Sequence, residues 1–407
     1  MSPAFDAIVV GGSNVGATVA CALGQAGLRV AVIEPRQTPA AWSADSVDLR
    51  VYSITRASQR IFAALGAWEG MVSRGVSPFR EMHVWDAGGR GAIHFDSTAI
   101  GEDTLGHIIE QRVIQAALHE RLRELPTVEL VCPAELDAIE HMPGAVTAVL
   151  ADGRRLPAPL LVGADGVQSP VREMAGIVTE VHEYLQRALV APVATEHWHR
   201  ETAWQRFLPG GPLAFLPLRD GRCSIVWSLP GEQADRYLAL PESDFRRELE
   251  EASERALGAI TAVGERVAFP LRRMHARSYL AERIALVGDA AHVIHPLAGQ
   301  GANLGLLDAA TLAQVVIDAH ADGRDIGDRR VLRRYERWRR GDNLAMMSAM
   351  DGFKYLFGNS LLPVRQVRNL GLRLVDGAGP LKAFLIRYAM GLSGDLPRLA
   401  MAPVAPE

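Results

Sequence analysis

The 407-residue chain has only three cysteines, Cys21, Cys132 and Cys223, standing far apart. Neither a disulfide framework nor a CxxC metal knuckle can be built from them. A reducing compartment, the cytosol, is therefore expected. Charge of one sign is also lacking: 43 basic residues against 47 acidic ones leave a net charge of −4. That balance supplies no global attraction to nucleic acid or to an anionic membrane, so no nucleic-acid partner is expected. There is no run of eighteen apolar residues and no repeat of fixed period. Residues 1–6 carry no basic cluster ahead of the apolar run AIVV, so no signal peptide is expected. Gly and Pro, 38 and 23 residues, are too few for collagen or a low-complexity linker, and 48% hydrophobic content excludes a disordered chain. What remains is a packed soluble protein of two to three domains in length.

The first forty residues read strand (7–10), glycine turn (GGSNVG, 11–16), helix (17–27) and strand (29–34). This is a βαβ start, and it implies a parallel sheet covered by its crossover helix. A helix is predicted over 53–67. Residues 79–95 alternate on either side of a Gly-rich turn, the pattern of an antiparallel hairpin. A helix over 111–125 and short strands over 128–151 follow. The tract 181–269 reads as antiparallel strands, 283–287 (RIALV) as a buried strand, 303–320 as a long helix, and 345–399 as a helical tail. The expected fold class is α/β, or α+β taken as a whole. It comprises a Rossmann-like domain built from the discontinuous segments 1–75, 100–180 and 275–345. Inserted into it is an antiparallel β-sheet domain of 76–99 and 181–274, and a C-terminal helical region, 346–407, follows.

Three turns carry the chemistry. In the first, Gly11, Gly12 and Gly16 permit a tight turn, and the helix N-terminus offers free N–H groups to a pyrophosphate. Ser13 occupies the middle position that GxGxxG gives to glycine, and Glu34 stands where a ribose hydroxyl could be received. The second turn, LLVGADGVQS, ends a strand on Asp165, which reads either as a ribose acceptor or as a plain Asx turn. The third, IALVGDAAH followed by HPLAGQGANLG, ends a strand on Gly288-Asp289 and opens a helix near Asn303. Such a helix end suits an electron-rich group. Asp289, His292 and His295 also suggest a two-His-one-carboxylate iron site, but Pro296 interrupts the segment and the glycines beyond it have no purpose there. No metal site is assigned.

With these motifs assembled, the sequence resembles the group A flavoprotein monooxygenases, and more closely the ubiquinone-biosynthesis hydroxylases of the UbiH/UbiF/UbiI type. The likeness spans nearly the whole chain. It rests on GGSNVGA, DLRVYSITRASQRIFAALGAW, LGHIIEQRVIQAAL, LVGADGVQSPVRE, LVGDAAHVIHPLAGQGANLGLLD and the tail SAMDGFKYLFGNSLLPVRQVRNLGLRL, which inclines it towards UbiI. The resemblance implies FAD as cofactor. Gly11, Gly12, Ser13 and Gly16 would then meet the pyrophosphate, Glu34 and Arg36 the adenosine end, and Arg50 and Gln111 the flavin. Asp165 would serve FAD and the passing nicotinamide, and Asp289 the ribityl chain. Pro296, Gly299, Gln300, Gly301, Ala302 and Asn303 would approach the isoalloxazine. Arg50, Pro296, Gly299 and Gln300 are the catalytic candidates. The implied reaction uses NADH or NADPH as transient reductant and O₂ as co-substrate. A C4a-hydroperoxyflavin would pass one oxygen to a polyprenylated phenol.

The antiparallel sheet would roof the ring with Phe207, Leu213, Phe215, Leu216 and Trp227, although any one of these also reads as sheet core. No general base is evident, and His107 is only a weak candidate. The tail carries Arg365, Arg368, Arg373, Lys382 and Arg387 against Asp376. This pattern fits peripheral docking at the inner face of the membrane and equally a packed helix pair with a solvated basic face. Association with other ubiquinone-biosynthesis proteins is a further implication. The competing functions are hydroxylation of a soluble aromatic such as a benzoate, and a flavin-holding subunit without turnover.

Overall fold

The computed structural model describes residues 4–37, 42–43, 46–89, 91–295, 299–358 and 376–402. It opens with β1 (Ala7–Val10), α1 (Asn14–Gln25) and β2 (Val30–Ile33), both strands fully buried. Helix α1 starts at Asn14 rather than 17, because Gly11 makes the turn at φ +97° and Ser13 already stands at the N-cap. The expected helix over 53–67 is corrected. Val51–Thr55 is strand β3, and α2 (Arg56–Ala64) begins only after Thr55, whose hydroxyl accepts from the Ser58 N–H. Then come α3 (Trp68–Arg74), β4 (Ser77–Phe79), the predicted hairpin β5 (Glu81–Asp86) and β6 (Ala92–Asp96), and β7 (Gly106–Glu110). Strand β7 pairs with both β3 and β4. Helix α4 (Gln111–Glu124) and β8 (Val128–Val131) lead into a meander of β9 (Leu136–Met142), β10 (Ala145–Leu150) and β11 (Arg155–Ala158). Strand β12 (Leu160–Gly163) and a short α5 (Pro170–Met174) follow.

The second half begins with β13 (Thr179–Thr195), β14 (Thr202–Leu208), β15 (Gly211–Pro217) and β16 (Cys223–Pro230). Two amphipathic helices, α6 (Gly231–Ala239) and α7 (Glu242–Ala252), interrupt the tract expected to be all strand. After β17 (Ile260–Val263) and β18 (Val267–Ala276) come the short strands β19 (Leu280–Ala281), β20 (Ile284–Leu286) and β21 (His292–Val293). Helix α8 (Gln300–Ala321) starts three residues before the predicted Asn303. Helix α9 (Arg329–Gly358) runs unbroken across the expected boundary at 345, and α10 (Gly379–Ala389) is followed by a 3-10 turn at Arg398–Ala400.

Two sheets organise the molecule. The first has strand order β19-β20-β12-β1-β2-β8, parallel apart from the edge strand β19. The second runs β21-β18-β13-β16-β15-β14-β5-β6, antiparallel except where β14 meets β5. Alternation along its strands gives it two faces. Leu189, Leu213, Phe215, Ile225 and Trp227 form one face and pack on Tyr237, Phe245 and Leu249 of α6 and α7. Leu213, Phe215 and Trp227 are thus core beneath those helices and not the roof of a ring pocket. Phe207 and Leu216 point the other way: Phe207 stacks on Phe357 at 3.8 Å, and Leu216 lies against the cluster around Ile386 of α10. Helix α8 is the one helix among the described residues long and apolar enough to cross a membrane, and two-thirds of that apolar stretch is buried, with α1 and α9 packed beside it.

A buried polar network ties α8 to its neighbours. Asp308, fully buried, accepts from the Gly288 N–H (3.2 Å), His292 Nε2, Arg339 Nε (2.9 Å) and Asn343 Nδ2 (3.0 Å). Burial alone would raise its pKa, but the His292, Arg339 and Asn343 contacts prevail and hold it at about 2. A carboxylate depressed in this way contributes stability above its ordinary pKa of about 3.9, and that contribution is lost as pH falls towards 2. Asp308→Ala leaves the buried Arg339 Nε and His292 Nε2 without their shared acceptor. It is expected to lower the unfolding free energy by about 3–5 kcal/mol, read as a shift of the urea midpoint. A change within about 0.5 kcal/mol, the range of ordinary surface substitutions, would contradict this account.

Candidate functional site

The carboxyl ends of β1, β12 and β20 lie side by side, with Val10 opposite Gly163 and Gly163 opposite Leu286. The three turns separated in sequence therefore meet at one sheet edge, the place where open α/β sheets bind ligands. The approach is close. A Cβ at residue 16 would lie 1.9 Å from the Gly11 carbonyl oxygen, and one at residue 11 would lie 2.4 Å from the Ala164 carbonyl oxygen.

The first turn is held from below. Glu34 accepts from the Gly12 N–H at 2.7 Å and from the Arg36 N–H at 3.1 Å, and His119 Nε2 sits 2.6 Å from the Gly12 carbonyl oxygen. Ser13, at φ −77°, makes no side-chain cap and the first turn of α1 has no acidic residue, so this helix end keeps free donors for an anion. The side chain of Arg36 is exposed. Two polar atoms, Asn14 Oδ1 and Asp165 Oδ1, are buried without a protein partner. The other Asp165 oxygen accepts from the Val171 N–H at 2.9 Å. Burial pushes the Asp165 pKa up against the hydrogen bonds of Ser169 and Val171.

Asp289, after Gly288 at φ +59°, is exposed in area, yet desolvation raises its pKa while His292 and Arg50 pull it down. Asp289 stands at the crevice into which the three turns open, beyond the carboxyl ends of β12 and β20. Tyr52 belongs to the same recess: burial, then the charge of Asp289, pushes its pKa to about 12, and its hydroxyl donates to Gln111 Oε1 at 3.3 Å. The Gln111 N–H donates to the Arg50 carbonyl at 2.9 Å, and the Arg50 guanidinium lies 5.7 Å from the Phe269 ring centre. Arg50 thus reaches from the nucleotide side to the large sheet. Gly299, at φ +62°, caps α8, and its first turn, with Gln300, Gly301 and Ala302, contains no acid and no side-chain cap.

Not every predicted residue faces the recess. The Asn303 side chain is saturated by protein: Nδ2 donates to the Ser53 and Gly299 carbonyls, and Oδ1 accepts from the Thr55 N–H, the Thr55 hydroxyl and Ser58. It positions β3 against α8 instead of touching a cofactor. The Gln300 amide donates to the Ala389 carbonyl at 3.2 Å, tying the start of α8 to the end of α10. Pro296 lies outside the described residues. His292 turns to Asp308 and His295 stacks edge-on to Tyr184, so these two and Asp289 do not converge on one point. His107 is buried against Trp68, and burial lowers its pKa to about 4. It sits on the opposite face of β7 from Ile108, which faces the α10 cluster.

Sequence reasoning missed Tyr52, His119, Phe269 and Asp308. Tyr52 and Phe269 lay inside segments read for their secondary structure alone. His119 and Asp308 sit in helices, where one polar residue on a buried face was the only available signal.

The residues fit a flavin dinucleotide: two helix ends with free donors, unpartnered acceptors at Asn14 and Asp165, and glycines where a Cβ has no room. Gly16→Ala is expected to strip most of the bound FAD from the purified protein, read as the ratio of visible flavin absorbance to protein absorbance. An unchanged ratio would contradict the close approach.

The FAD binding domain family matches residues 4–348. The chain is 40% identical over 397 residues to the ubiquinone hydroxylase UbiL of Rhodospirillum rubrum, covering 97% of this chain and 92% of that one. It is 38% identical to the 3-demethoxyubiquinol 3-hydroxylase of Escherichia coli, covering 94% and 98%. Among solved structures, PqsL of Pseudomonas aeruginosa superposes with a TM-score of 0.75 at 26% identity, covering 90% of this chain and 99% of that one. The p-nitrophenol 4-monooxygenase PnpA of Pseudomonas putida shares the fold, with a TM-score of 0.77 at 20% identity over 97% and 99% of the two chains. By its glycine turns, its sheet order and these relatives, the chain belongs to the FAD-binding domain family and, within it, to the FAD-dependent hydroxylases of ubiquinone biosynthesis.

Proposed function

We propose that this enzyme hydroxylates the ring of a polyprenylated phenol, with FAD as its resident cofactor, NADH or NADPH as transient reductant and O₂ as co-substrate. The relatives named for ubiquinone chemistry support this substrate class. The observation that carries it is the inner face of the large sheet. Aligned there are Val84, Gln205, Ala214, Val226 and Val190, with Met82, Phe95 and Leu216 in the adjoining row, and no charged side chain among them. A benzoate carboxylate set against those side chains would lose hydration that they cannot replace. A neutral phenol with a hydrocarbon tail would not.

In this reading Gly11, Gly12, Ser13, Gly16 and the start of α1 hold the pyrophosphate, with Glu34 and Arg36 at the adenosine end. Asp165 and Asp289 receive the hydroxyls of the connecting chain. Arg50, Gln111, Gly299, Gln300, Gly301 and Ala302 border the ring system. FAD, when bound, supplies the electron and oxygen chemistry that side chains cannot perform. The protein's part is to orient and to exclude water. Gln300 anchors α10 to the start of α8, and Ile386, Ala383 and Met390 of α10 cluster with Met82, Phe95 and Leu216 of the large sheet. The same reading divides the chain into cofactor segments 1–75, 100–180 and 275–345 and a substrate segment of 76–99 and 181–274.

A peripheral seat on the cytoplasmic face of the membrane completes the proposal. Leu381, Phe384, Leu385 and Tyr388 of α10 are exposed. Of the basic tail residues, Lys382 is paired with Asp376, and Arg387 donates to the Ile100 carbonyl. Arg365, Arg368 and Arg373 lie outside the described residues. The exposed apolar side chains therefore carry this part of the reading.

With 2-geranylphenol present, the FAD-loaded protein is expected to oxidise NADH or NADPH faster and to yield a hydroxylated ring, while benzoate gives neither. Stimulation by benzoate alone would overturn the substrate class, and bound FAD with no O₂ consumption on any phenol would favour a non-catalytic flavin holder. The double variant F384S/Y388S is expected to lose about tenfold in flotation with anionic vesicles, two buried aromatics being worth roughly that or more. Unchanged flotation would contradict the membrane seat.

A further inference from the structure

Holding a prenylated phenol needs a group that tells its ring from a bare hydrocarbon, and the sheet register singles one out. Across the inner face the pairing aligns Ile93, Val84, Gln205, Ala214, Val226 and Val190. Five are aliphatic and one is an amide. Alternation along β14 fixes its direction. Trp204 and Leu208 pack towards α6 and α7, whereas Ala203 and Phe207 face inward, so Gln205 between them faces inward too.

Those two neighbours enter different clusters. Phe207 packs with Ile294 and Leu304, on either side of the α8 N-terminus, and Ala203 packs with Ile386 of α10. Gln205 stands in the interval between the clusters, opposite the small side chain of Ala214. It is only 7% exposed, and its amide bonds no other group among the described residues. Its atoms are also absent from the polar groups that are fully walled off from solvent, such as Ser224 Oγ. An amide that no described protein group uses, and that is not walled off, is open to a partner entering beside it. Gln300, the other buried glutamine near the recess, has its partner at Ala389.

We infer that Gln205 recognises the hydroxyl of the substrate ring, its amide bonding the phenolic oxygen and thereby turning the ring's reactive edge towards the cofactor side. The inference rests on the phenol-hydroxylase reading above and adds the residue that decides which rings are held. An uncharged amide suits a neutral phenol, because it neither titrates nor demands a counter-charge in an apolar wall. An aromatic lacking the hydroxyl would leave the amide unpaired, and such sites reject analogues more strongly than apolar pockets do.

The test uses the full FAD-loaded chain, with 2-geranylphenol and geranylbenzene as probes and perturbation of the flavin absorbance as the binding readout. The wild type is expected to bind 2-geranylphenol about tenfold more tightly than geranylbenzene, the size of one buried hydrogen bond. Q205L is expected to bind the two alike while keeping wild-type FAD content. If Q205L does not accumulate as a folded flavoprotein, Q205M, which keeps the side-chain length, carries the same comparison. A variant that retains the full preference for the phenol overturns the role of Gln205 and leaves the hydroxylase reading intact. A wild type that binds neither probe and oxidises no NADH or NADPH with any prenylphenol overturns the underlying reading, and this inference falls with it.

Discussion

The Gly11 carbonyl oxygen occupies almost the position that a methyl group at residue 16 would take, and the Ala164 carbonyl stands just as close to residue 11. Only a pair of glycines lets β1, α1 and the β12 turn come together in this way. That approach places the uncapped start of α1 beside the unpartnered Oδ1 of Asp165. The third turn is brought to the same place from another direction, since β20 pairs with β12 in parallel and ends at Leu286, two residues before Gly288. With either glycine changed, the donors of α1 and the carboxylates of Asp165 and Asp289 would no longer converge on one dinucleotide.

From there the structure is transmitted by a buried charge. Asp308 on α8 holds the Gly288 N–H and His292 with its other contacts reaching Arg339 and Asn343 on α9. Helix α9 then carries Met346, Met347, Met350 and Phe357 to the inner face of the large sheet, where they pack on Val84, Ile93 and Phe207. One helix thus fixes the distance between the nucleotide end and the sheet that covers the ring. Thioether side chains, flexible and polarisable, suit a wall that must accommodate a hydrocarbon tail. Helix α10 packs on the other side and is pinned by Gln300 at the first residue of α8. Cofactor and substrate regions therefore share two struts instead of a flexible linker.

Much of this was legible in the chain. Glycine turns at strand ends announce close backbone approach, and the motifs at Gly11, Asp165 and Asp289 did fall at one sheet edge. What was not legible depended on partners remote in sequence. The side of the sheet taken by Leu213, Phe215 and Trp227 is decided by α6 and α7, and those helices were hidden inside a tract read as strands. Asn303 reads as a cofactor ligand from its glycine-rich context, but Ser53, Thr55 and Ser58 use all of its hydrogen-bonding capacity. Gln205 has no local signal at all: it is notable only because the register sets it in a row of aliphatic side chains.

The central claim is that the three turns together grip one FAD. It is tested most directly by the visible spectrum of the purified wild-type protein and the flavin released on denaturation. The account predicts a yellow protein with close to one FAD per chain, retained through gel filtration. A colourless chain that stays colourless after incubation with FAD would contradict it.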